Sequence, residues 1–403
     1  MENHGIYDHK RRLELLEKRI EKEISSAKNQ KTLTNYKNDC LAQGTSLARV
    51  VRTLEDLLKI DKILKKDFEL ATIDDIKSLI VKLDQAVKKN QENYSEHTKY
   101  GFKISIKKFY KWLRGNDEYP EEVKWIKVRL KLHNNKLPQE LLTEEDIKKL
   151  VESADNPRDK ALVFLLYESG CRIAEILTLK LKHITFDEYG AVILVEGKTG
   201  QRRVRVISST PYLTDWLNNH PFKDNSEALL WVTRGYKRKE LGYQRVRHIF
   251  KQLKLKSKVQ KKVNPHNFRH SRATFLANHL TEAQLKEHFG WVKESDMASV
   301  YVHLSGRDVD NALLKIYGIE NNGNNKESIL KLKTCLRCKE VNPPTNQFCS
   351  KCGIPLDKEA VIETIENDMK RKIADEILDK LILDKQFLDI LLTKIKEVKK
   401  DDV

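Results

Sequence analysis

The chain has 403 residues, enough for two to four domains and a sizeable core. Hydrophobic residues make up 39%, and no charge-free run is long enough to span a bilayer, so an integral membrane protein is not expected. Lys and Arg total 76 against 59 Asp and Glu, a formal charge of +17, which favours a polyanionic partner or a lysine-rich surface kept for solubility. The start, "MENHGIYDHKRRLELLEKRIEKEI", has no continuous apolar signal core, so the cytoplasm is the expected compartment.

Residues 1–115 read as helical. "RRLELLEKRIEKEI" is amphipathic, and "LARVVRTLEDLLKIDKILKK" repeats apolar residues at three- and four-residue steps. In "YGFKISIKKFYKWLRGN", Phe102, Ile106, Phe109 and Trp112 share one helical face, with Lys103, Lys107, Lys108 and Lys111 interleaved. This is a core stripe with a basic flank, and those lysines can also follow a phosphate backbone. The charged stretch 116–139, with Pro120 and Pro138, reads as a linker. Residues 140–318 then form a mainly helical region with a small β-hairpin. Thr143 and Asp146 fit a capping box at the start of "LTEEDIKKLVESA", and Gly170 ends "PRDKALVFLLYESG". "CRIAEILTLKLKHI" starts the next helix. "AVILVEG" and "RRVRVIS", separated by "KTGQ", signal the hairpin, and further helices run to Gly318.

The Asn/Gly-rich stretch in 319–333 is expected to be a flexible linker. Residues 334–357 contain "CLRCKEVNPPTNQFCSKCGIPL", two Cys-x-x-Cys knuckles formed by Cys335, Cys338, Cys349 and Cys352. That spacing suits a tetrahedral structural Zn2+ held by four thiolates, as in a zinc ribbon. With no open position, such a site is not catalytic. Cys40 and Cys171 read as ordinary reduced residues. Residues 358–403 read as an amphipathic C-terminal helix in which Met369, Ile373, Ile377 and Leu381 recur every four residues, too wide for a strict heptad.

Four short stretches carry chemistry. Asn264 and Pro265 mark a helix start whose first turns collect His266, Arg269, His270 and Arg272, a natural anion site. Arg172 follows a glycine break, with Glu175 one turn on to hold its guanidinium. Lys198 sits at the mouth of the hairpin, where a flexible ammonium reaches outward. Trp291, an N–H donor only, follows Gly290, and Tyr301 lies ten residues further on. Taken singly, each also fits an ion pair, a surface lysine or a core tyrosine.

Their order and spacing are more specific. Arg172-x-x-Glu175, hairpin Lys198, His266-x-x-Arg269-His270, Gly290-Trp291 and Tyr301-x-His303 together resemble the tyrosine recombinase (phage integrase) family, over roughly residues 30–317. "GWVKESDMASVYVHLS" looks most like archaeal members, as from a virus, plasmid or integrated element. Two departures stand out: Phe268 where the family usually has leucine, and Trp291 where many members have histidine.

The resemblance implies a helical core-binding domain that clamps DNA, then a mixed α/β catalytic domain. It implies a site-specific recombinase that cuts and rejoins double-stranded DNA through a 3′-phosphotyrosyl link. Tyr301 would be the nucleophile, Arg172 and Arg269 would bind the non-bridging oxygens, and His266 would be the base. Lys198 would protonate the leaving 5′ oxygen, Trp291 would donate to the phosphate, and Glu175 would support Arg172. Cations fill the place of a catalytic metal, and the stored phosphotyrosine bond removes any need for ATP. The implied assembly is a homo-oligomer, a tetramer on DNA, with accessory DNA-bending proteins as further partners. The helix "VDNALLKIYGI" after Tyr301 lies where family members dock on a neighbouring protomer, and it can equally pack in cis. Two alternatives stand beside this reading: a catalytically silent DNA-binding regulator of the same fold, and a type IB topoisomerase.

Overall fold

The computed structural model describes residues 8–24, 26–86, 93–129, 140–197, 200–235, 238–305, 328–383 and 387. The chain divides into two units, Met1–Leu137 and Pro138–Val403.

The first unit is built from α1 (His9–Glu23), α2 (Ala27–Ala42), α3 (Leu47–Leu64), α4 (Ile73–Gln85), α5 (Glu96–Leu113) and the single turn α6 (Glu121–Lys124). The apolar steps along α3 bury Val51, Leu54, Leu57, Leu58 and Ile60, so α3 forms the axis against which α1, α2, α4 and α5 pack. Two buried polar ties fix the packing. Asn29 of α2 donates to Asp61 (2.7 Å) and accepts from the Phe68 amide (2.9 Å), and Ser105 of α5 donates to Asp56 (3.0 Å). On α5 the expected stripe of Phe102, Ile106 and Phe109 is buried. Its lysines are largely engaged within the unit. Lys103 pairs with Asp84, Lys107 lies 4.3 Å from the Tyr119 ring centre and donates to the Ile126 carbonyl, and Lys108 alone of the four is exposed. The stretch expected to be a linker from residue 116 begins as part of this core, since Val123 and Ile126 are buried in it.

The second unit centres on α8 (Pro157–Ser169), which is buried on nearly every side, its charged residues Arg158, Asp159 and Glu168 included, and packs against α7 (Glu144–Glu152) and later helices. The Thr143–Asp146 capping box forms at α7, and Gly170 ends α8 with φ +57. α9 (Ile173–Leu177) is only five residues long, because the chain then turns to bridge Lys180 to Leu229. The hairpin is part of a three-stranded antiparallel sheet, β1 (Ile184–Asp187), β2 (Gly190–Gly197) and β3 (Gly200–Val206), in that order, with Ile193 opposite Val204 and Gly197 opposite Gly200. Buried Glu168 of α8 accepts from the amides of Ile207, Ser208 and Ser209 at 2.7–2.8 Å, which fixes the exit of β3 into α10 (Thr210–Asn218).

α11 (Tyr243–Ser257), α12 (Pro265–Ala277), α13 (Glu282–Phe289) and α14 (Met297–Ser305) complete this part. Further on, β4 (Lys333–Thr334), just before the first cysteine knuckle, pairs with β5 (Val341–Asn342), which lies between the two knuckles, and α15 (Lys358–Ile382) follows with an almost wholly exposed surface. The knuckle region touches the helices before it. The Tyr212 and Thr345 hydroxyls are 2.7 Å apart, and Glu144 accepts from the Ser328 hydroxyl and the Ile329 amide. Lys198, the linker stretch up to residue 327, the helix "VDNALLKIYGI" and the tail beyond 383, apart from Phe387, lie outside the described residues. No described helix is long and apolar enough to cross a membrane.

Candidate active site

Asn264 accepts from the Asn267 amide (2.9 Å) and Pro265 occupies the first position of α12, as their types predict. The Asn267 side chain then donates to the carbonyls of Glu140 and Lys262, locking the helix start. The four basic side chains of this stretch, His266, Arg269, His270 and Arg272, part company. Arg272 turns to α8, donating to the Glu168 carbonyl (2.9 Å) and lying over the Phe275 ring. Phe268 is fully buried against Phe250, so the departure from leucine is absorbed by the core. Arg269, His266 and His270 face a common region with residues from two other chain segments.

Arg269 is buried and donates to the Gly170 carbonyl (2.9 Å) and the Phe289 carbonyl (2.7 Å). Its guanidinium lies 4.9 Å from the Phe289 ring centre and 5.5 Å from that of Trp291. Arg172 donates to the neighbouring Gly290 carbonyl (3.3 Å), so one short turn holds both guanidiniums. Burial, with the like charge of Arg172, pulls the pKa of Arg269 down to about 10. Three guanidiniums, those of Arg172, Arg202 and Arg269, gather around the one carboxylate of Glu175, which leaves a net positive site that an anion would relieve.

Glu175 sets Arg172 from behind. Its buried carboxylate accepts from the Arg172 amide (2.8 Å) and guanidinium (2.9 Å), and from both terminal nitrogens of Arg202 (3.1 and 2.8 Å). Burial pushes this carboxyl up, but the hydrogen bonds and charge of Arg202 and Arg172 outweigh that and hold it below its ordinary value. Arg202 also donates to the His288 carbonyl (2.9 Å). Sequence reasoning missed Arg202, although alternation along β3 places it on the same face as buried Val204 and Val206. Gly197 is required beside this network, since a Cβ there would stand 2.5 Å from a Glu175 oxygen.

Tyr301 is buried in the cluster of α12, α13 and α14, beside Ala273, Leu285 and Phe289. Its ring stacks on Trp291 with centres 5.4 Å apart and planes 1° from parallel, and Trp291 stacks in turn on Phe289 at 4.9 Å. Burial raises its pKa to about 12, with Arg269 working in the opposite direction. Its phenol is hydrogen-bonded to Nδ1 of His270, and Nε2 of His270 lies 2.6 Å from Nε2 of His266. The partner of the phenol is thus His270, with His266 one step further out and exposed. Of the expected site residues, Arg172, Glu175, His266, Arg269, Trp291 and Tyr301 come together here. His288 joins from α13. Burial lowers its pKa to about 4, and its Nε2 lies 3.0 Å from the Ser169 carbonyl.

Far along the chain, the sulfurs of Cys335, Cys338, Cys349 and Cys352 all lie within 4.8 Å of one another, close enough to hold a metal ion. The two closest cross-knuckle pairs are 3.5 and 3.6 Å apart. A tetrahedron with metal–sulfur bonds of about 2.3 Å has edges of roughly 3.8 Å, so the quartet has the size such an ion needs.

Residues 140–307 match the phage integrase family. The tyrosine recombinase XerA of Pyrococcus horikoshii is 32% identical over 193 residues, covering 47% of this chain and 67% of that protein. XerA of Pyrococcus furiosus is 30% identical over 197 residues, covering 47% and 68%. Transposase A of transposon Tn554 from Staphylococcus aureus is 27% identical over 199 residues, covering 46% and 55%. Among solved structures, the Tn1549 transposon integrase with circular intermediate DNA shares the fold with a TM-score of 0.54 and 16% identity, covering 72% of this chain and 99% of that one. A lambda integrase dimer bound to a core site gives 0.53 and 16%, covering 69% and 78%.

Proposed function

The chain belongs to the tyrosine recombinase family, and from that premise we propose how its own residues cut and rejoin duplex DNA. It is a site-specific DNA recombinase. Arg172 and Arg269 receive the non-bridging oxygens of the scissile phosphate, and Trp291 donates one further hydrogen bond. Tyr301 attacks phosphorus, the bond to the 5′ oxygen breaks, and a 3′-phosphotyrosine forms. His266 assists removal of the phenol proton, and Lys198 protonates the leaving oxygen. The reverse attack by a 5′ hydroxyl rejoins the strand, with bond energy conserved and no ATP consumed.

The observation that carries this reading is the convergence of a phenol, two guanidiniums anchored on adjacent carbonyls, and two histidines from separate parts of the chain. The arginines stabilise charge that grows on the phosphate oxygens in the transition state, which is where electrostatic preorganisation acts most strongly. The first unit supplies a helical clamp on DNA, and the working assembly is a homotetramer on its site in the cytoplasm. Cys335, Cys338, Cys349 and Cys352 hold one Zn2+ that shapes the ribbon and takes no part in the chemistry.

A nicked suicide substrate, whose short downstream fragment bearing the freed 5′ hydroxyl diffuses away, tests the nucleophile. Wild-type protein should be trapped as one covalent chain per cut strand, with the adduct mapping to Tyr301. Tyr301→Phe should bind DNA normally and form no adduct. An adduct on another tyrosine, or one that persists in Tyr301→Phe, would refute the assignment.

A further inference from the structure

We propose that His270 is a catalytic residue, the group that takes the proton from Tyr301, and that it passes charge outward through His266. The inference rests on the reading of Tyr301 as nucleophile and assigns the proton's route from it.

The phenol needs help because of where it sits. With a pKa of about 12, only on the order of 10⁻⁵ of it would be phenolate at pH 7. The groups around it are few. Trp291 covers one face of the ring and is a donor only, so it cannot accept a proton. Arg269 is near enough to favour the phenolate, yet a guanidinium is already fully protonated at neutral pH. Glu175 is occupied by four bonds from Arg172 and Arg202. That leaves His270, hydrogen-bonded directly to the phenol oxygen, as the one described group in contact with it whose side chain both accepts and releases protons near neutrality.

The second contact gives the proton an exit. His266 and His270 are four residues apart on one face of α12, so their rings meet edge to face, with centres 4.1 Å apart and Nε2 atoms 2.6 Å apart. The relay uses the arrangement of protons in which both bonds point outward from the phenol. The phenol O–H donates to Nδ1 of His270, Nε2–H of His270 donates to Nε2 of His266, and His266 carries its own hydrogen on Nδ1. As the Tyr301 oxygen bonds to phosphorus, its O–H bond breaks and an N–H bond forms at Nδ1 of His270. The Nε2 proton of His270 moves to Nε2 of His266, which loses its Nδ1 proton to water. His270 ends neutral in its other tautomer, and reversal of the same steps returns the proton when the strand is rejoined. His266 acts through His270 and is a positioning residue for this step.

The test measures single-turnover adduct formation on the suicide substrate, with DNA affinity measured alongside. His270→Ala should keep its affinity and lose about 10²- to 10⁴-fold in adduct rate, the usual worth of general base catalysis. His266→Ala should show a smaller loss. His270→Gln, which can hydrogen-bond the phenol but cannot take its proton, should be as slow as His270→Ala, and this separates proton transfer from packing. A ring-fluorinated tyrosine at position 301, with a lowered phenol pKa, should restore most of the rate lost in His270→Ala. A wild-type adduct on Tyr301 together with an unimpaired His270→Gln would overturn the relay alone, as would a His270→Ala defect that fluorination does not relieve. A wild-type protein that forms no adduct on Tyr301 would overturn the nucleophile assignment and the relay with it.

Discussion

Glu175 is held by guanidiniums from two elements, Arg172 at the start of α9 and Arg202 on β3. Its spacing from Arg172 is visible in the sequence, and that pair forms. Its second partner, Arg202, comes from β3, and only the strand's alternation hinted that this arginine points inward. His270 was visible as a residue of the cationic helix start, but which of two histidines meets Tyr301 depends on how α14 packs on α12, a tertiary fact. The Glu175 network also predicts an asymmetry. Glu175→Ala strands the guanidinium of Arg202, whose side chain is 10% exposed, and should cost about 3–5 kcal/mol in denaturant unfolding. Replacing both by apolar residues, Glu175→Leu with Arg202→Met, should recover much of that stability, because the guanidinium of Arg202 is no longer left buried without its carboxylate. Adduct formation should stay low in both proteins, since Arg172 has lost its brace. Full activity in the double variant would show that Glu175 matters only for folding.

Among the elements, long periodic helices such as α3 and α5 and the well-alternating β2–β3 hairpin follow from the sequence pattern. β1 does not, because it is a short edge strand, three of whose four residues are exposed, so burial imposes no alternation on it. α9 is shorter than its apolar run suggests because Leu230 donates its amide to the Leu179 carbonyl, drawing the chain out of helix. The break between α8 and α9 has a sharper role than ending a helix. Gly170 adopts φ +57, its carbonyl receives Arg269, and a Cβ there would stand 2.5 Å from the Phe289 ring. Gly170→Ala should therefore cost about 1–2 kcal/mol for the left-handed backbone alone, plus the displacement of Phe289, whose carbonyl also anchors Arg269. Thermal unfolding should fall by several degrees, and the adduct rate should fall with DNA affinity less affected. A variant with normal cleavage would mean that this turn does not position the arginines.

At the scale of the whole molecule, the chain divides into two units and carries a formal charge of +17, so its DNA affinity should depend on salt. If about six phosphates are contacted, the log–log slope of affinity against salt should be roughly −5, and either unit alone should bind more weakly than the full chain. A salt-insensitive affinity would remove the clamp. The closeness of the four cysteines was legible, because knuckle spacing is a local feature, whereas the contact of Thr345 with Tyr212 and those of Ser328 and Ile329 with Glu144 are not encoded in any motif. Those contacts are few and neutral or singly charged, worth about 1 kcal/mol each by ordinary hydrogen-bond values. If the quartet holds the proposed Zn2+, so small a segment should depend on that ion to fold. Cys335→Ser with Cys338→Ser should therefore abolish binding of one zinc and unfold the ribbon, while lowering the stability of the helices around Arg172 and Tyr301 only slightly. Adduct formation on a high-affinity site should survive in that variant, and chelator should leave the rate of a ribbon-deleted protein unchanged. If chelation stopped cleavage in the ribbon-deleted protein, a metal would be acting at the phosphate itself, and the purely cationic chemistry assigned to Arg172 and Arg269 would fail.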